Sequence, residues 1–454
     1  MTPNATPETF LLLADAVAPM SGPIIRQAYI LIDRGRVAAV GQQADLPPLD
    51  LPRRRAGPGL ITPGLINAHT HSNLSFLASR FDPEPFWHWL PRLVQARLDL
   101  GTIQQRQHAE AAGAREAILQ ALARGTTCLA DMHYIDAVRD HLADIPARMI
   151  HACEALALDF FNFPAWINAA TGPAYRGPRS LPALAPHAPY SVPLPWIQKA
   201  SQAAIHYDIP LMIHLAETPE EIHWLQHGDG PVARYAQKLI EPPSPPRTGP
   251  LDYARQAGLI DAGAMLIHAT CLSPEEIVQL AQWTEQIDQS NHATLQQHNA
   301  QLPPALSGAT PRPPLKPLPS VCYCPRSTEF LGQPNHPWKQ LLQHNVNVCL
   351  GTDSLASLPR GATLAIIEEM RFLRRKHPDV QPFSIMLMAT ANAAEALRLN
   401  GQLGMIEPPC YADLVLWPID PAAPDPLADL LDCDLPPSCV YISGTPLQGL
   451  PVPS

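Results

Sequence analysis

The feature of this sequence that most constrains its fold is an alternation of short apolar runs and helical patterns through the middle of the chain. Eight runs with β-branched or aromatic content occur, at residues 59–68, 126–131, 148–153, 181–185, 210–215, 264–267, 320–324 and 346–350. Strands that alternate with helices pair in parallel, and eight such units predict an α/β fold closed as a (β/α)8 TIM barrel. An open doubly wound sheet is the competing architecture, but no glycine-rich phosphate loop follows any run.

Both ends of the chain carry strand patterns. Short strands are predicted at residues 10–14, 28–33 and 36–41, and again at 413–417 and 439–443. Two strand-rich ends around a long middle indicate a small β-sandwich domain formed by both termini. We therefore predict the N-terminal part of this composite β-domain at 1–60, the barrel at 61–398 and the C-terminal part at 399–454.

Proline is unusually abundant, with 54 residues in a chain of 454. Such a level suggests disorder, but aliphatic residues occur along nearly the whole chain, so most prolines are expected in the loops of a folded protein. One interval stands apart, because residues 284–319 become polar and then proline-rich. This insertion follows the sixth predicted strand, on the side where barrel active sites lie, and is either a partial lid or a passive solvated loop.

Charge and composition exclude several classes of partner. With 31 Lys and Arg against 41 Asp and Glu, the net charge is −10, which argues against nucleic acid. No apolar stretch is long enough for a transmembrane helix, and no basic segment precedes Leu11 as in a signal peptide. The nine scattered cysteines are expected to be buried free thiols. We expect a cytoplasmic protein without a membrane or nucleic-acid partner.

Metal-competent side chains follow several of the predicted strands. His69 and His71 end the first run, and their i, i+2 spacing places both imidazoles on one side of an extended chain. His214, His268 and Asp353 each end or follow a later run. In a barrel these positions converge on one rim, so the set predicts a metal-binding pocket rather than unrelated polar strand ends.

Glu217 stands three residues after His214 and forms a His-x-x-Glu pattern. A carboxylate there can lie over the metal pocket without binding the metal, where it can take a proton from water and pass it to a leaving group. The alternative is an ordinary surface glutamate beside Thr218 and Glu220.

Six segments together resemble the amidohydrolase superfamily, in its aminohydrolase branch of deaminases and chlorohydrolases. They are Pro-Gly-Leu-Ile-Asn-Ala-His-Thr-His at 63–71, Pro-His-Ala-Pro-Tyr-Ser at 186–191, His-Leu-Ala-Glu at 214–217, Ile-His-Ala-Thr-Cys at 267–271, Cys-Pro-Arg-Ser at 324–327 and Gly-Thr-Asp-Ser at 351–354. The resemblance covers nearly the whole chain. Within the branch, the chain is most similar to aminodeoxyfutalosine and S-adenosylhomocysteine-type deaminases.

The resemblance implies roles for individual residues. It makes His69, His71, His214 and Asp353 the ligands of one divalent metal, with Zn²⁺ favoured and Fe²⁺ as the alternative. It makes Glu217 the proton shuttle, His268 the group that orients the attacking water, Asp353 also a proton acceptor, and His187 a substrate contact. The bridging lysine of binuclear relatives has no counterpart, because Lys199 falls in a helical pattern twelve residues past His187.

The implied reaction is hydrolytic deamination of an adenine-like aminated ring by metal-activated water, with release of ammonia. The expected substrate is of nucleoside type, for example aminodeoxyfutalosine. A chlorohydrolase, a guanine- or cytosine-type deaminase, and a catalytically silent metal-binding relative remain as alternatives. Dimers are common among similar proteins, so a homodimer is also expected.

Four further residues are candidates for substrate contact. Asn73 stands where many relatives carry an acidic residue. Trp87 and Trp89 can stack on a base or pack within their loop. Arg326 can meet a substrate carboxylate or anchor its own loop.

Overall fold

The computed structural model describes residues 8–133, 136–156, 162–301 and 315–451. Within this part of the chain, eight parallel strands form the centre of the molecule. The first four, which pair as one sheet, are β6 (Leu65–Thr70), β7 (Thr126–His133), β8 (Arg148–Ala155) and β9 (Ser180–Pro186). The second four, which pair as another sheet, are β10 (Met212–Leu215), β11 (Met265–His268), β12 (Ser320–Tyr323) and β13 (Asn347–Leu350).

The two parallel sheets meet at both of their edges. A single parallel bridge joins Leu184 to Leu211, between β9 and β10, and another joins Thr70 to Asp353, between β6 and the end of β13. The eight predicted strands are therefore present in chain order and run parallel. Continuous pairing is confined to each four-stranded sheet, with one bridge at each junction.

The terminal segments build a separate sheet of eight strands. In chain order its strands are β1 (Phe10–Val17), β2 (Ile25–Asp33), β3 (Arg36–Gln42), β4 (Arg53–Arg55), β5 (Leu60–Pro63), β14 (Leu414–Trp417), β15 (Cys439–Ile442) and β16 (Thr445–Pro446). Antiparallel pairing of β5 with β14 joins the two ends of the chain. The described terminal strands form this one connected sheet, so a two-layer sandwich is not confirmed, and the domain boundaries stay a prediction.

The first predicted apolar run, 59–68, is divided between these two sheets. β5 belongs to the terminal sheet and β6 to the parallel set, and Gly64 alone separates them. A Cβ atom on Gly64 would lie 2.0 Å from Thr127 Oγ1, so only glycine fits this crossing. The run was predicted as one strand because apolar content does not reveal where a chain passes from one sheet to another.

Fifteen helices occur among the described residues, and many of them begin with proline. They are α1 (Phe86–Leu98), α2 (Ile103–Ala123), α3 (Asp136–Leu142), α4 (Phe163–Thr171), α5 (Leu194–Tyr207), α6 (Pro219–His227), α7 (Gly230–Ala236), α8 (Pro250–Gln256), α9 (Pro274–Gln301), α10 (Pro325–Phe330), α11 (Trp338–Gln343), α12 (Ile366–Lys376), α13 (Pro382–Met388), α14 (Ala391–Ala396) and α15 (Pro426–Asp432). Proline in a first helical turn sacrifices no intrahelical hydrogen bond, and its fixed φ suits the helix start. Part of the proline content therefore marks helix starts.

The interval 284–319 differs from its prediction. Residues 284–301 continue α9, and residues 302–314 lie outside the described part of the chain. The Asn291 side chain bonds both the backbone N–H and the carbonyl of Lys316, and Pro317 lies against Gly263, just before β11 begins. The described part of the insertion thus returns to the N-terminal ends of the strands. The helix α9 extends into this interval as far as Gln301 and carries the chain away from the rim.

A buried ion pair connects the parallel strands to the terminal sheet. Arg148, at the start of β8, donates to Asp413 through Nε at 2.5 Å and Nη2 at 3.1 Å. Both side chains are buried. The Arg148 guanidinium also lies over the Tyr411 ring, 3.7 Å from its centroid. Two buried charges of this kind stabilise the fold only while both are present.

We predict that Asp413→Asn destabilises the protein by about 3 kcal/mol, because Arg148 is then left buried without a counter-charge. Urea unfolding followed by tryptophan fluorescence measures the effect. The matched control is Asp379→Asn in the exposed pair with Lys339, where Nζ and Oδ2 are 2.9 Å apart. That change should cost less than about 1 kcal/mol. Equal effects of the two substitutions would contradict the prediction.

Candidate active site

Three imidazoles meet at the carboxyl ends of strands that are distant in sequence. His69 and His71 come from the end of β6, and His214 lies within β10. One nitrogen from each ring lies within 4.8 Å of the others, and the Nε2 atoms of His71 and His214 are 3.4 Å apart. All three side chains are buried. The parallel strands therefore bring together the three histidines that the strand-end pattern singled out.

Asp353 completes this cluster from the segment after β13. Its Oδ1 lies 3.8 Å from His69 Nε2 and 3.9 Å from His71 Nε2. Its other oxygen, Oδ2, accepts hydrogen bonds from Ser327 Oγ at 2.6 Å and Ser357 Oγ at 3.1 Å. The two hydroxyls fix the carboxylate so that Oδ1 is the oxygen that faces the imidazoles.

The histidines of this cluster have the protonation and the free nitrogen atoms that binding of a divalent cation requires. Neither nitrogen of His69 has a hydrogen-bond partner among the described residues, although its side chain is completely buried. Burial and the neighbouring imidazoles hold the pKa values of His69 and His71 well below their usual range. His214 Nδ1 is 2.9 Å from the His187 carbonyl oxygen, which leaves Nε2 as the free nitrogen. Neutral imidazoles with a carboxylate are a donor set for zinc or iron.

Glu217 lies beside this cluster at the start of the loop after β10. The Glu221 carboxylate accepts from the backbone N–H groups of Ala216 and Glu217 at 3.0 and 2.9 Å, which fixes the loop. Glu217 Oε1 accepts from Gln333 Nε2 at 2.7 Å and lies 3.6 Å from His268 Nε2. Burial, and then the carboxylates of Asp353 and Glu221, hold the pKa of Glu217 well above its usual range.

His268 and His187 occupy neighbouring positions on the rim. His268 ends β11 with a left-handed backbone, φ +67°, and its ring stacks on His214 at 5.5 Å between centroids. His187 follows β9, and its ring centroid is 4.9 Å from that of His214. His187 Nδ1 is 2.6 Å from Ser191 Oγ, so its orientation is set. Both rings therefore face the histidine cluster.

The two tryptophans have different surroundings. Trp87 is half-buried, its Nε1 donates to Thr218 Oγ1 at 3.0 Å, and its ring lies 5.3 Å from that of Tyr190. This places Trp87 next to Glu217 at the edge of the site. Trp89 is buried, and its Nε1 donates to the Ala356 carbonyl at 3.0 Å. The surroundings of Trp89 are those of loop packing.

Asn73 and Arg326 are both buried. Asn73 follows His71 in a short 3-10 helix, and its Oδ1 has no partner among the described residues. Arg326 is held by the Glu369 carboxylate at 2.6 Å, by the Glu368 carboxylate and by the Thr363 carbonyl at 2.9 Å. These contacts favour the loop-anchoring alternative for Arg326.

Sequence reasoning missed one pocket-facing carboxyl group and several hydrogen-bonding partners. Glu154 lies near the end of β8, and one of its oxygens lies within 4.8 Å of ring nitrogens of His187 and His214. Burial raises its pKa to about 8, against a lowering effect from Arg97. The strand-end rule that selected the histidines could have found Glu154, because it directly follows the predicted run 148–153.

A parallel α/β fold that gathers imidazoles and a carboxylate at one rim is typical of metal-dependent barrel enzymes. Residues 60–447 match the amidohydrolase family, and the chain belongs to that family. This confirms the resemblance read from the sequence motifs, and the chain is an enzyme of the hydrolase class.

The chain is also similar to named relatives and to solved structures. The chain is 27% identical to a 5-methylthioadenosine/S-adenosylhomocysteine deaminase from Moorella thermoacetica, over 89% of this chain and 85% of the relative. An adenosine deaminase from Xanthomonas campestris with bound zinc has a TM-score of 0.72 at 23% identity, over 98% of this chain and 93% of the other.

Two further structures share the fold. The aminofutalosine deaminase of Helicobacter pylori has a TM-score of 0.77 at 18% identity, over 97% of this chain and all, 100%, of the other. The atrazine chlorohydrolase of Arthrobacter aurescens, complexed with zinc, has a TM-score of 0.76 at 20% identity, over 97% and 95%. At these identities the likeness shows the fold alone, which for this family is a TIM barrel.

The lengths and compositions of the described helices bear on whether any of them crosses a bilayer. Among them, none combines sufficient length with sufficient apolar character to be a membrane span.

We predict that Ser327→Ala weakens zinc binding by about 10- to 100-fold, because Asp353 then loses a hydroxyl that orients it. Competition with a chromogenic chelator measures the affinity. Ser201→Ala is the matched control, since Ser201 is also buried but donates to the Ala257 carbonyl at 2.8 Å, away from the site. An unchanged affinity in Ser327→Ala would show that Asp353 does not need this hydroxyl.

Proposed function

We propose that this enzyme is a mononuclear metal-dependent aminohydrolase that removes the amino group of an adenine-like ring, in a substrate of nucleoside type, as ammonia. The observation that carries the proposal is the meeting of two groups at one rim. Three buried imidazoles with Asp353 form a metal-ligand set, and Glu217 Oε1 lies beside it, 3.6 Å from His268 Nε2. Hydrolytic deamination needs these two functions, an electrophilic metal and a proton carrier, next to each other.

The residues proposed to hold the metal are His69, His71, His214 and Asp353. A divalent cation bound there supplies positive charge that favours ionisation of water near neutral pH and polarises the ring. Zinc is the first choice, because the ligand set is mainly imidazole and the related structures described above contain zinc. Iron is the alternative.

The protein residues supply the proton transfers. In the reaction a C–O bond forms from water to the ring carbon and the C–N bond to the amino group breaks. Asp353 accepts a proton from the attacking water, and His268 orients that water. Glu217 donates a proton to the ring nitrogen, and Asp353 passes the proton that it took from water to the amino group, which leaves as ammonia. The hydroxyl proton of the intermediate returns to Glu217 as the ring carbonyl forms. Burial favours the protonated form of Glu217, as its raised pKa indicates.

Other residues are proposed to position the ring. His187 faces the histidine cluster and can bond a ring nitrogen, and Trp87 can form an aromatic wall beside Thr218. Asn73 stands two residues after His71, and its amide oxygen has no partner within the described part of the chain. Trp89 and Arg326 were also predicted substrate contacts, but their present bonds support packing and loop anchoring for them.

The proposed substrate class rests on the relatives. One is named a 5-methylthioadenosine/S-adenosylhomocysteine deaminase, and two structures are named as adenosine and aminofutalosine deaminases. We include aminodeoxyfutalosine among the candidate substrates.

A chlorohydrolase activity on a triazine is the second candidate, supported by the likeness to atrazine chlorohydrolase. A guanine- or cytosine-type deaminase would use the same residues, whereas a silent relative has no need of Glu217 and His268.

A substrate panel tests the proposal. Zinc-loaded protein is assayed for ammonia with adenosine, S-adenosylhomocysteine, methylthioadenosine, aminodeoxyfutalosine and guanine, and for chloride with chlorinated triazines. Ammonia from an adenine nucleoside supports the proposal. Chloride without ammonia would replace it with the second candidate, and a metal-loaded protein that releases neither would indicate a silent relative. A cytoplasmic location and a homodimeric state remain predictions.

We predict that Glu217→Gln retains the metal but lowers kcat by about 1000-fold or more, because glutamine cannot transfer the proton. Metal content by mass spectrometry and ammonia release are the two measurements. Glu220→Gln, in the following turn and half-exposed, is the control and should keep both properties. Near-normal turnover in Glu217→Gln would remove this residue from its proposed role.

A further inference from the structure

Glu154 is a buried carboxyl group to which the proposed reaction assigns no role. Its side chain extends from β8, and the residue is 5% exposed. The Oε1 atom has no hydrogen-bond partner among the described residues. A buried carboxyl oxygen without a partner is costly, so such a group is retained where something else bonds it.

The position of Glu154 identifies what could bond it. One of its oxygens and ring nitrogens of His187 and His214 lie within 4.8 Å of one another. His214 is a proposed metal ligand, and His187 is a proposed contact of the substrate ring. A ring that rests against His187 with its reacting carbon at the histidine cluster therefore comes within hydrogen-bonding reach of Glu154.

The same three residues could instead hold a second metal ion, but the bonding of their nitrogens argues against it. His214 Nδ1 bonds the His187 carbonyl oxygen, and His214 Nε2 faces His71 Nε2 at 3.4 Å. His187 Nδ1 bonds Ser191 Oγ at 2.6 Å. Only one nitrogen of His187 and the carboxyl group of Glu154 remain, too few for an ion of their own.

A structural ion pair does not account for Glu154 either. Arg97 is the cation whose charge acts on Glu154, and it bonds the buried Glu110 carboxylate through Nε at 3.2 Å and Nη2 at 2.6 Å. The other groups whose charges act on Glu154, or on which its charge acts, are Asp353, Tyr235 and Tyr190, and none of them is a cation. The Tyr190 hydroxyl also has no partner among the described residues. Glu154 thus lies in a polar wall of the pocket with unused hydrogen-bonding capacity.

We propose that Glu154 is a further substrate-binding residue, which accepts a hydrogen bond from an N–H or O–H group of the substrate next to His187. This inference rests on the proposed function for the placement of the ring. A hydrogen bond to Glu154 would also contribute to substrate specificity. The pocket would favour substrates with a neutral or cationic donor at this position and disfavour substrates with an anionic group there. The donor can be the amino group of the ring or a hydroxyl of an attached sugar.

The test measures equilibrium binding without turnover. In a zinc-loaded Glu217→Gln background, Kd is determined by calorimetry with and without Glu154→Leu. The ligands are adenosine, 2′,3′-dideoxyadenosine, which lacks the 2′- and 3′-hydroxyls of the sugar, and purine riboside, which lacks the amino group. Loss of a hydrogen bond to this buried carboxyl group should weaken adenosine binding by about 10-fold or more.

The two sources of the donor give different patterns. If the donor is the 2′- or 3′-hydroxyl of the sugar, the penalty of Glu154→Leu disappears for 2′,3′-dideoxyadenosine and persists for purine riboside, whereas a penalty that persists for both analogues assigns the hydrogen bond to the 5′-hydroxyl. If it is the ring amino group, the opposite pattern is expected. A Kd unaffected by Glu154→Leu for all three ligands, or no binding of any of them by the parent chain, overturns the inference.

Two control variants test whether the change in Kd is specific to the Glu154 carboxyl group. Glu154→Gln keeps the size of the side chain and a neutral acceptor, so it should weaken adenosine binding less than Glu154→Leu, by about 5-fold. Glu395→Gln changes an acidic residue of α14, at the N-terminal ends of the strands, and should not affect Kd. Zinc content is measured in every variant, and a loss of zinc in the Glu154 variants would make Glu154 a metal ligand and overturn the inference.

The outcome is distinguishable from failure of the proposed function. Protein with Glu217 and Glu154 intact is assayed for ammonia in parallel. If it releases none while Glu154→Leu still weakens adenosine binding, the deaminase proposal fails and the role of Glu154 stands. If it releases ammonia and the Kd values do not respond to Glu154, the opposite holds.

Discussion

The site depends on one physical constraint, the burial of polar groups that the protein itself does not satisfy. His69 is completely buried and neither of its nitrogens has a partner among the described residues. Leaving such groups unpaired costs about 1–3 kcal/mol each, and a bound cation offsets that cost. The same low-dielectric surroundings lower the pKa of His69 and raise the pKa of Glu217, and thereby favour the neutral form of each group. Burial therefore both favours imidazoles that can bind a cation and favours a Glu217 that can donate a proton.

The sequence predicts the positions that follow a local rule and misses those that follow from loop geometry. His69, His214, His268 and Asp353 were found because each ends or follows an apolar strand. Ser327, Ser357 and Gln333 support the site from segments after other strands, and no spacing relates them to the groups they bond. The described residues of the interval 284–319 lie away from the predicted rim for a similar reason, because their position depends on the length of α9, while residues 302–314 lie outside the described part of the chain.

The terminal sheet contributes to the geometry of the site although it carries none of the proposed ligands. It is joined to the parallel strands where Gly64 separates β5 from β6, and where Asp413 pairs with Arg148 at the start of β8. Both connections lie at the N-terminal ends of strands whose other ends carry His69, His71 and Glu154. Gly64 at the first connection and the Arg148–Asp413 ion pair at the second therefore fix the positions at which β6 and β8 begin.

The contact between Thr70 and Asp353 has a consequence for the order in which the protein becomes active. The Thr70 hydroxyl donates to the Asp353 backbone carbonyl at 2.9 Å across 283 residues of sequence. Contacts of such separation form late, because the intervening chain must first lose its loop entropy. Metal-binding groups from both sides of that contact assemble only when the first and last parallel strands have met. A nascent or partly folded chain thus has an incomplete set of ligands, and metal capture is itself a check that folding has finished.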